Sequence, residues 1–251
     1  MNKNQSAIRN PQSAIVLVHG AFRGGWSWQK VRRILQNQGF EVFAPSLTGA
    51  GERKHLNSEK ITLQTWVEDV ANLIETEDLY EIVLVGHSQG GIIIQAVAEA
   101  IFERMSKLIF IDAPVLCDGE CALDVIPKEI REKYGVTPRN AMIQPIYLPP
   151  NTDFDEAETD WINERLTAVP TNPSFEKIRI EKSANIPHEY IFCTKTPPFY
   201  PASFTRKRFD AENVSYKLIE AGHDCLMSEP ELVADILSQF CISIVSGSEH
   251  L

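Results

Sequence analysis

The sequence predicts an α/β fold in which helices cover both faces of a doubly wound, mostly parallel sheet that carries an inserted helical cap. Three observations indicate this fold. Short apolar runs rich in β-branched residues alternate with longer amphipathic stretches, as in successive β-α-β units. One apolar run leads directly into a Gly-x-Ser-x-Gly turn, Gly86 to Gly90, and then into a helical pattern. Across residues 115–186 recurring prolines and short amphipathic pieces replace the alternation, and strands follow again afterwards.

Length and composition favour one globular domain with a large core. The chain has 251 residues, of which 43% are hydrophobic, and a formal net charge of −10, so it can bury a large core. Because no basic stripe accompanies this acidic balance, nucleic acids and anionic membranes are poor partners. Residues 1–13 are polar and lack an apolar signal-peptide core, so we expect a flexible N-terminal leader. No apolar run approaches the length of a transmembrane helix.

The five cysteines indicate reduced thiols rather than disulfides or a metal site. They are odd in number and scattered, at Cys117, Cys121, Cys193, Cys225 and Cys241. Although Cys117 and Cys121 are close in sequence, no second Cys or His pair has the matching spacing of a metal site. We therefore expect a cytoplasmic protein with reduced thiols. Nothing in the sequence implies a metal or a cofactor.

The first half of the chain is predicted to alternate strands with helices. The strands cover residues 14–18, 41–44 and 82–85, and the helices cover residues 26–37, 63–77 and 92–102. The first strand ends in His19-Gly20, and the Gly-rich loop that follows can present the backbone N–H of Ala21 or Phe22 to an oxyanion. We expect His19 itself to be structural and hydrogen-bonded on the inner side of this turn. The long loop 45–53 should form the rim of a site.

The turn from residue 86 to residue 90 is predicted to hold a nucleophile. Such a tight turn forces Ser88 into a strained backbone geometry, and it needs glycines on both sides because a Cβ would collide with the neighbouring strand or helix. The strain lifts the Ser88 hydroxyl above the start of the helix. There the N–H of Gln89 can face a developing negative charge.

The second half of the chain is predicted to return to the sheet after the cap. The fourth strand, residues 108–111, ends at Asp112, and we expect the cap in residues 115–186. The core of the fold then consists of residues 14–114 and 187–246. Strands at residues 189–193 and 214–219 precede the loop that contains His223, and the closing helix covers residues 230–245.

His223 is predicted to be the base for Ser88, because a free serine hydroxyl is a weak nucleophile at neutral pH. It follows the last strand, which gives the chain order Ser, Asp, His. Asp112 meets the requirement for the acid, since a carboxylate at a strand's carboxyl end can accept the Nδ1–H of this histidine. The other histidines considered are poorly placed for this role. His55 and His188 lie in loops remote from this position, His87 lies within the turn from residue 86 to residue 90, and His250 lies in the last residues of the sequence.

Almost the whole chain, residues 14–245, resembles the α/β-hydrolase superfamily. Three motifs carry the resemblance in order: His-Gly-x after the first strand, Gly-His-Ser-x-Gly-Gly at the elbow, and Gly-His-Asp before the last helix. Residues 19–26 and 47–55 are similar to signatures of a cap-bearing branch that contains plant methylesterases, hydroxynitrile lyases and bacterial pyrethroid-type carboxylesterases. The resemblance implies a serine esterase with a catalytic triad and an oxyanion hole.

The position of the acid departs from that branch. Its members usually carry the acid just after the strand that here covers residues 190–193, and this sequence has Thr196 at the matching position. Some superfamily members place the acid one strand earlier, which fits Asp112. Asp118 and Asp210 remain alternatives.

The resemblance also bears on the reaction type. Hydroxynitrile lyases of the branch carry a Thr in the oxyanion turn and a Lys beside the catalytic His, whereas these positions look like Gly20 and Asp224 here. We therefore expect a hydrolase that cleaves a carboxylic ester, or a thioester, of a hydrophobic or aromatic small molecule through an acyl-enzyme on Ser88. A biosynthetic thioesterase or polyketide-type hydrolase would share the triad, and a ligand-binding protein without turnover would share the fold.

Apolar residues of the cap, and one in the loop that follows the strand at residues 189–193, are predicted to build the substrate pocket: Trp161, Met142, Tyr147 and Phe199. Several of them could instead form the cap's own core. The sequence is equally compatible with a monomer and a homodimer.

Overall fold

Parallel strands form the central sheet of the computed structural model, which describes residues 14–129, 131, 138–149 and 153–247. In chain order the strands are β1 (Ile15–Val18), β2 (Val42–Phe43), β3 (Ile82–His87), β4 (Met105–Ile111), β5 (Met142–Ile143), β6 (Val169–Pro170), β7 (His188–Cys193) and β8 (Lys217–Ile219). The central sheet has the order β2-β1-β3-β4-β7-β8, while β5 and β6 form a separate antiparallel pair. The expected leader, residues 1–13, lies outside the described residues.

Helices cover both faces of this sheet. They are α1 (Gln29–Asn37), α2 (Leu63–Thr76), α3 (Gly90–Ala100), α4 (Glu156–Asn163), α5 (Pro201–Glu212), α6 (Cys225–Ser228) and α7 (Pro230–Gly247). Because side chains alternate along a strand, Val16 packs on the same side as Trp66 of α2, and Ile15 packs on the opposite side with Trp28, which precedes α1. The doubly wound α/β fold is thereby confirmed.

The segment between β4 and β7 reaches the loops that follow β1 and β2. The Thr167 N–H donates to the Phe22 carbonyl oxygen at 3.0 Å, and the Asn57 side chain donates to the Ala168 carbonyl oxygen at 2.8 Å. Besides α4, the described part of this segment contains the β5–β6 pair, short 3-10 turns and helical residues at positions 128, 129 and 131. The proposed division into core and cap at residues 114/115 and 186/187 stays a prediction.

Helix α5 is the main element that the sequence pattern does not reveal. Pro201 starts it at a position where a missing N–H costs nothing, and Asn213 ends it in a left-handed conformation with a φ of 57°. Since the Val214 N–H then bonds back to the Phe209 carbonyl oxygen, β8 begins only at Lys217 and not at residue 214 as predicted.

Three features of the described residues bear on the compositional expectations. None of the described helices combines the length and apolar character needed to span a bilayer. Within the same part of the chain, no group of three or more His, Cys, Asp or Glu side chains could hold a metal ion. All five cysteines are free thiols, as expected.

Candidate active site

Ser88 lies in the turn between β3 and α3. Its φ of 51° places a non-glycine residue in the left-handed region, which is the strain that the sequence predicted. Its N–H donates to the carbonyl oxygen of Ile111 in β4 at 3.1 Å. A Cβ added to Gly90 would come within 2.6 Å of the Val18 carbonyl oxygen, so α3 can start this close to β1 only with glycine.

His223 reaches Ser88 from the loop after β8. Its Nε2 lies 3.0 Å from the Ser88 Oγ. His87 Nε2 donates to the His223 carbonyl oxygen at 2.7 Å, which holds the loop. The Tyr200 ring packs edge-on against the imidazole, with 4.5 Å between ring centroids. These contacts of His87 and Tyr200 were not predicted from the sequence.

Asp112 follows β4 and holds the other side of the imidazole. Its Oδ2 lies 2.5 Å from His223 Nδ1, and its side chain is only 2% exposed. Oδ1 accepts the Cys193 N–H at 3.1 Å, and Oδ2 also accepts the Thr196 hydroxyl at 2.6 Å. Burial by itself raises the pKa of Asp112, but the hydrogen bond and charge of His223, together with the Thr196 and Cys193 donors, outweigh burial and keep the pKa below its usual value.

The other carboxylates considered for the acid have different partners. Asp118 Oδ1 accepts the N–H of Ile180 at 2.9 Å, and Asp210 contacts the hydroxyl of Tyr216. The structure therefore brings Asp112, and neither of these alternatives, to the histidine.

The turn after β1 lies directly against the serine. A Cβ added to Gly20 would lie 2.8 Å from the Ser88 Cβ, so this close approach requires glycine. Phe22 has a φ of 64° and thus adds strain to the same turn. Among the hydrogen bonds of the described residues, none uses the N–H of Ala21, Phe22 or Gln89 as its donor. These three groups are available to a negative charge that develops beside Ser88.

A buried ion pair joins this turn to the His223 loop. Arg23 Nε and Nη2 donate to Asp224 Oδ1 at 3.1 and 3.0 Å, and Nη2 also donates to Oδ2 at 2.9 Å. Burial raises the pKa of Asp224, but the positive charge and hydrogen bonds of Arg23, together with the influence of His223 and His87, outweigh burial and hold this pKa below its usual value. No sequence pattern predicts the pair, because its partners are 201 positions apart.

His19 and His87 are buried histidines with structural contacts. His19 Nε2 accepts the Leu47 N–H at 3.1 Å and its Nδ1 donates to the Gly20 carbonyl oxygen at 2.9 Å, which confirms the expected structural role. Burial is the largest influence on both rings and lowers the pKa of each to about 4. Both are consequently uncharged near neutral pH.

A small cavity of about 20 Å³ lies beside the turn after β1, with room for about one water molecule. Its apolar wall consists of Leu47, Trp66, Val169 and Pro170. Leu47 belongs to the loop that was expected at the rim of the site. The sequence patterns did not identify Trp66, Val169 or Pro170 as lining residues.

The four residues predicted to build the substrate pocket do not line this cavity. Trp161 packs edge-on against Trp26, with 5.3 Å between ring centroids, and lines a separate cavity of about 350 Å³. Met142 belongs to β5, while Tyr147 and Phe199 are 64% and 48% exposed. Trp161 therefore lines a different cavity from the one beside the turn after β1, and a substrate pocket built by these four residues stays a prediction.

Known proteins share this architecture. A family model described as the alpha/beta hydrolase family matches residues 15–236. A carbendazim hydrolyzing esterase from Nocardioides sp. is 30% identical over 89% of this chain and 97% of its own length. Polyneuridine aldehyde esterase from Rauvolfia serpentina is 24% identical over 93% of this chain and 97% of its own length. The crystal structure of a pyrethroid hydrolase from Sphingobium faniae has the same fold, with a TM-score of 0.74, 20% identity and coverage of 93% of this chain and 99% of that one.

Proposed function

Because this chain belongs to the alpha/beta hydrolase family and is a carboxylic ester hydrolase, we propose that it works through an acyl-enzyme on Ser88. One observation carries the proposal. Ser88 Oγ lies 3.0 Å from His223 Nε2, and His223 Nδ1 lies 2.5 Å from Asp112 Oδ2. This is the order of a nucleophile, its general base and the acid that orients the base.

In the proposed reaction, Ser88 Oγ attacks the ester carbonyl carbon while its proton moves to His223 Nε2. Asp112 accepts the Nδ1–H, which keeps the Nε2 lone pair facing the serine and stabilises the imidazolium that forms. The imidazolium then gives its proton to the oxygen of the leaving alcohol. Water attacks the acyl-enzyme with His223 again as the base, and the carboxylic acid and free Ser88 are released.

The proposed oxyanion hole consists of the N–H groups of Ala21 and Gln89, with the N–H of Phe22 in the same turn as a further donor. Their lack of partners among the described residues supports this role. Each donor aimed at the tetrahedral oxyanion contributes on the order of 3 kcal/mol to lowering the barrier. Since Gln89 immediately precedes α3, the positive end of the helix dipole adds to the same effect.

We propose a small hydrophobic or aromatic ester as the substrate. The names of two relatives, a carbendazim hydrolyzing esterase and polyneuridine aldehyde esterase, refer to small organic molecules. The apolar wall of the cavity beside the oxyanion turn suits an apolar group attached to the scissile carbonyl. Because this cavity has a volume of only about 20 Å³, we expect compact groups to be preferred there.

Hydrolysis of p-nitrophenyl acetate tests the proposal. The wild type should turn over this ester and react with a serine-directed phosphonate, and Ser88→Ala should lose both properties while its circular dichroism stays unchanged. Ser238→Ala is the matched control and should keep both, because the Ser238 hydroxyl bonds within α7, to the Asp235 carbonyl oxygen. Equal activity of Ser88→Ala would overturn the nucleophile assignment. Phosphonate labelling of wild type without turnover of any ester would instead indicate a ligand-binding protein.

A further inference from the structure

The Thr196 hydroxyl contacts the same carboxylate oxygen that faces the histidine. It donates to Asp112 Oδ2 at 2.6 Å, and His223 Nδ1 lies 2.5 Å from that oxygen. The Cys193 N–H donates to the other oxygen, Oδ1, at 3.1 Å. Because Asp112 is almost fully buried, these three contacts account for how its carboxylate is held.

Two physical effects follow from the hydroxyl at this position. Cys193 and Thr196 both come from β7 and the loop after it, and they bind opposite oxygens, so together they fix the rotation of the carboxylate plane. Thr196 also shares the negative charge of Oδ2 with His223, since a hydroxyl donor stabilises the ionised carboxylate. Both effects act on the histidine only through Asp112.

We infer that Thr196 is a positioning residue that aims Asp112 Oδ2 at His223 and limits how strongly this carboxylate holds a proton on the imidazole. The inference rests on the proposed function. Thr196, a neutral side chain, thus adjusts the strength of the interaction between Asp112 and His223.

The remaining groups around the imidazole are independent of Thr196. His87 is buried against His223 and its ring nitrogen holds the His223 backbone. Tyr200 packs on the ring, and Asp224 is neutralised by its ion pair with Arg23. A change at Thr196 therefore reaches the histidine through the Asp112 carboxylate.

Thr196→Val removes the hydroxyl at nearly constant side-chain volume and is the test of the inference. Losing a hydrogen bond to a charged group should lower kcat for p-nitrophenyl acetate by about tenfold or more. Without the competing donor, Asp112 attracts the imidazolium more strongly, so the acid limb of the kcat/KM profile should move to higher pH. Thr196→Ser keeps the hydroxyl and should restore both properties.

Thr194→Val is the matched control, because Thr194 lies in the same loop with an exposed side chain. It should leave kcat and the pH profile unchanged. A Thr196→Val enzyme with wild-type kcat and an unmoved acid limb would overturn the inference, as would a Thr196→Ser enzyme that shares the valine defect.

A proton NMR measurement separates failure of this inference from failure of the proposed function. The strongly deshielded resonance of the proton between His223 and Asp112 should shift in Thr196→Val and return in Thr196→Ser, without any substrate. A wild type that hydrolyses no ester would refute the proposed function alone, whereas an unchanged resonance in an active Thr196→Val enzyme would refute the inference alone.

Discussion

Arg23 and Asp224 form a buried bidentate ion pair, and their side chains are only 8% and 11% exposed. Arg23 directly follows the strained Phe22 in the turn after β1, and Asp224 directly follows His223. The two loops come from opposite ends of the chain. The ion pair therefore fixes the proposed oxyanion donors relative to the proposed base.

Breaking this pair should destabilise the protein and slow its reaction. Asp224→Asn leaves the Arg23 charge buried and unpaired, so the free energy of unfolding in urea should fall by about 3–5 kcal/mol and kcat should decrease. Arg23→Gln together with Asp224→Asn should lose less than the sum of the single changes. Lys30→Gln breaks an exposed pair with Glu158 and should cost less than about 1 kcal/mol. An equally small effect of Asp224→Asn would contradict this account.

Asp112→Asn should lower kcat on the order of 10⁴-fold, because an amide in this place favours the wrong tautomer of His223. Steady-state hydrolysis of p-nitrophenyl acetate measures this effect. Asp118→Asn and Asp210→Asn are the controls, and both should stay near the wild-type rate since these residues bond elsewhere. A near-normal rate for Asp112→Asn would move the role of the acid to another carboxylate.

Val169→Ala should widen the range of accepted esters. The substitution enlarges the cavity beside the turn after β1. Val169 lines this cavity of about 20 Å³ together with Leu47 and Trp66. Each methylene accommodated in an apolar pocket contributes about 1–3 kcal/mol of discrimination, which corresponds to a roughly 10- to 200-fold difference in kcat/KM. A series of p-nitrophenyl esters from acetate to hexanoate should therefore shift toward the longer acyl chains. An unchanged preference would place the substrate outside this cavity.

Lowering the pH should destabilise the fold already at pH values well above those at which carboxylates titrate. Burial lowers the pKa of His19 and His87 from 6.5 to about 4. Between these values the unfolded chain binds protons that the folded chain does not, so stability is lost as the pH falls from about 6.5 toward 4. The lowered pKa values of Asp112 and Asp224 add a loss only below about pH 4.

Urea unfolding at several pH values measures this loss. His87→Gln retains a donor for the His223 carbonyl oxygen but cannot take up a proton, so it should reduce the slope by up to about 1.4 kcal/mol per pH unit. Gln36→Ala replaces an exposed side chain that cannot take up a proton, so it should leave the slope unaltered. A wild-type stability that is flat between pH 6.5 and 4.5 would contradict the prediction.

The sequence was sufficient for the elements whose geometry is local. The strand before Ser88, the strained turn and the helix after it are adjacent in the chain, so their pattern specifies how they fold. The parallel sheet then places the carboxyl ends of β3 and β4 side by side, which explains why Asp112 could be expected near Ser88 and therefore near the base of this serine.

Contacts between distant segments could not be predicted in this way. Trp161 and Val169 both belong to the segment between β4 and β7. Only the packing of that segment on the core decides that Val169, and not Trp161, lines the cavity beside the turn after β1. Helix α5 was missed because its buried positions include polar Thr205 beside Ala202 and Phe209, which leaves no clear apolar stripe.

Trapping the acyl-enzyme is the most direct test of the central claim. The protein is mixed with p-nitrophenyl acetate, quenched in acid within the first turnover and digested, and the peptides are analysed by mass spectrometry. We expect one acetyl group on the peptide that contains Ser88, and no such adduct in Ser88→Ala. Ester hydrolysis by wild type with an unmodified Ser88, or with the acetyl group on another residue, would contradict the account.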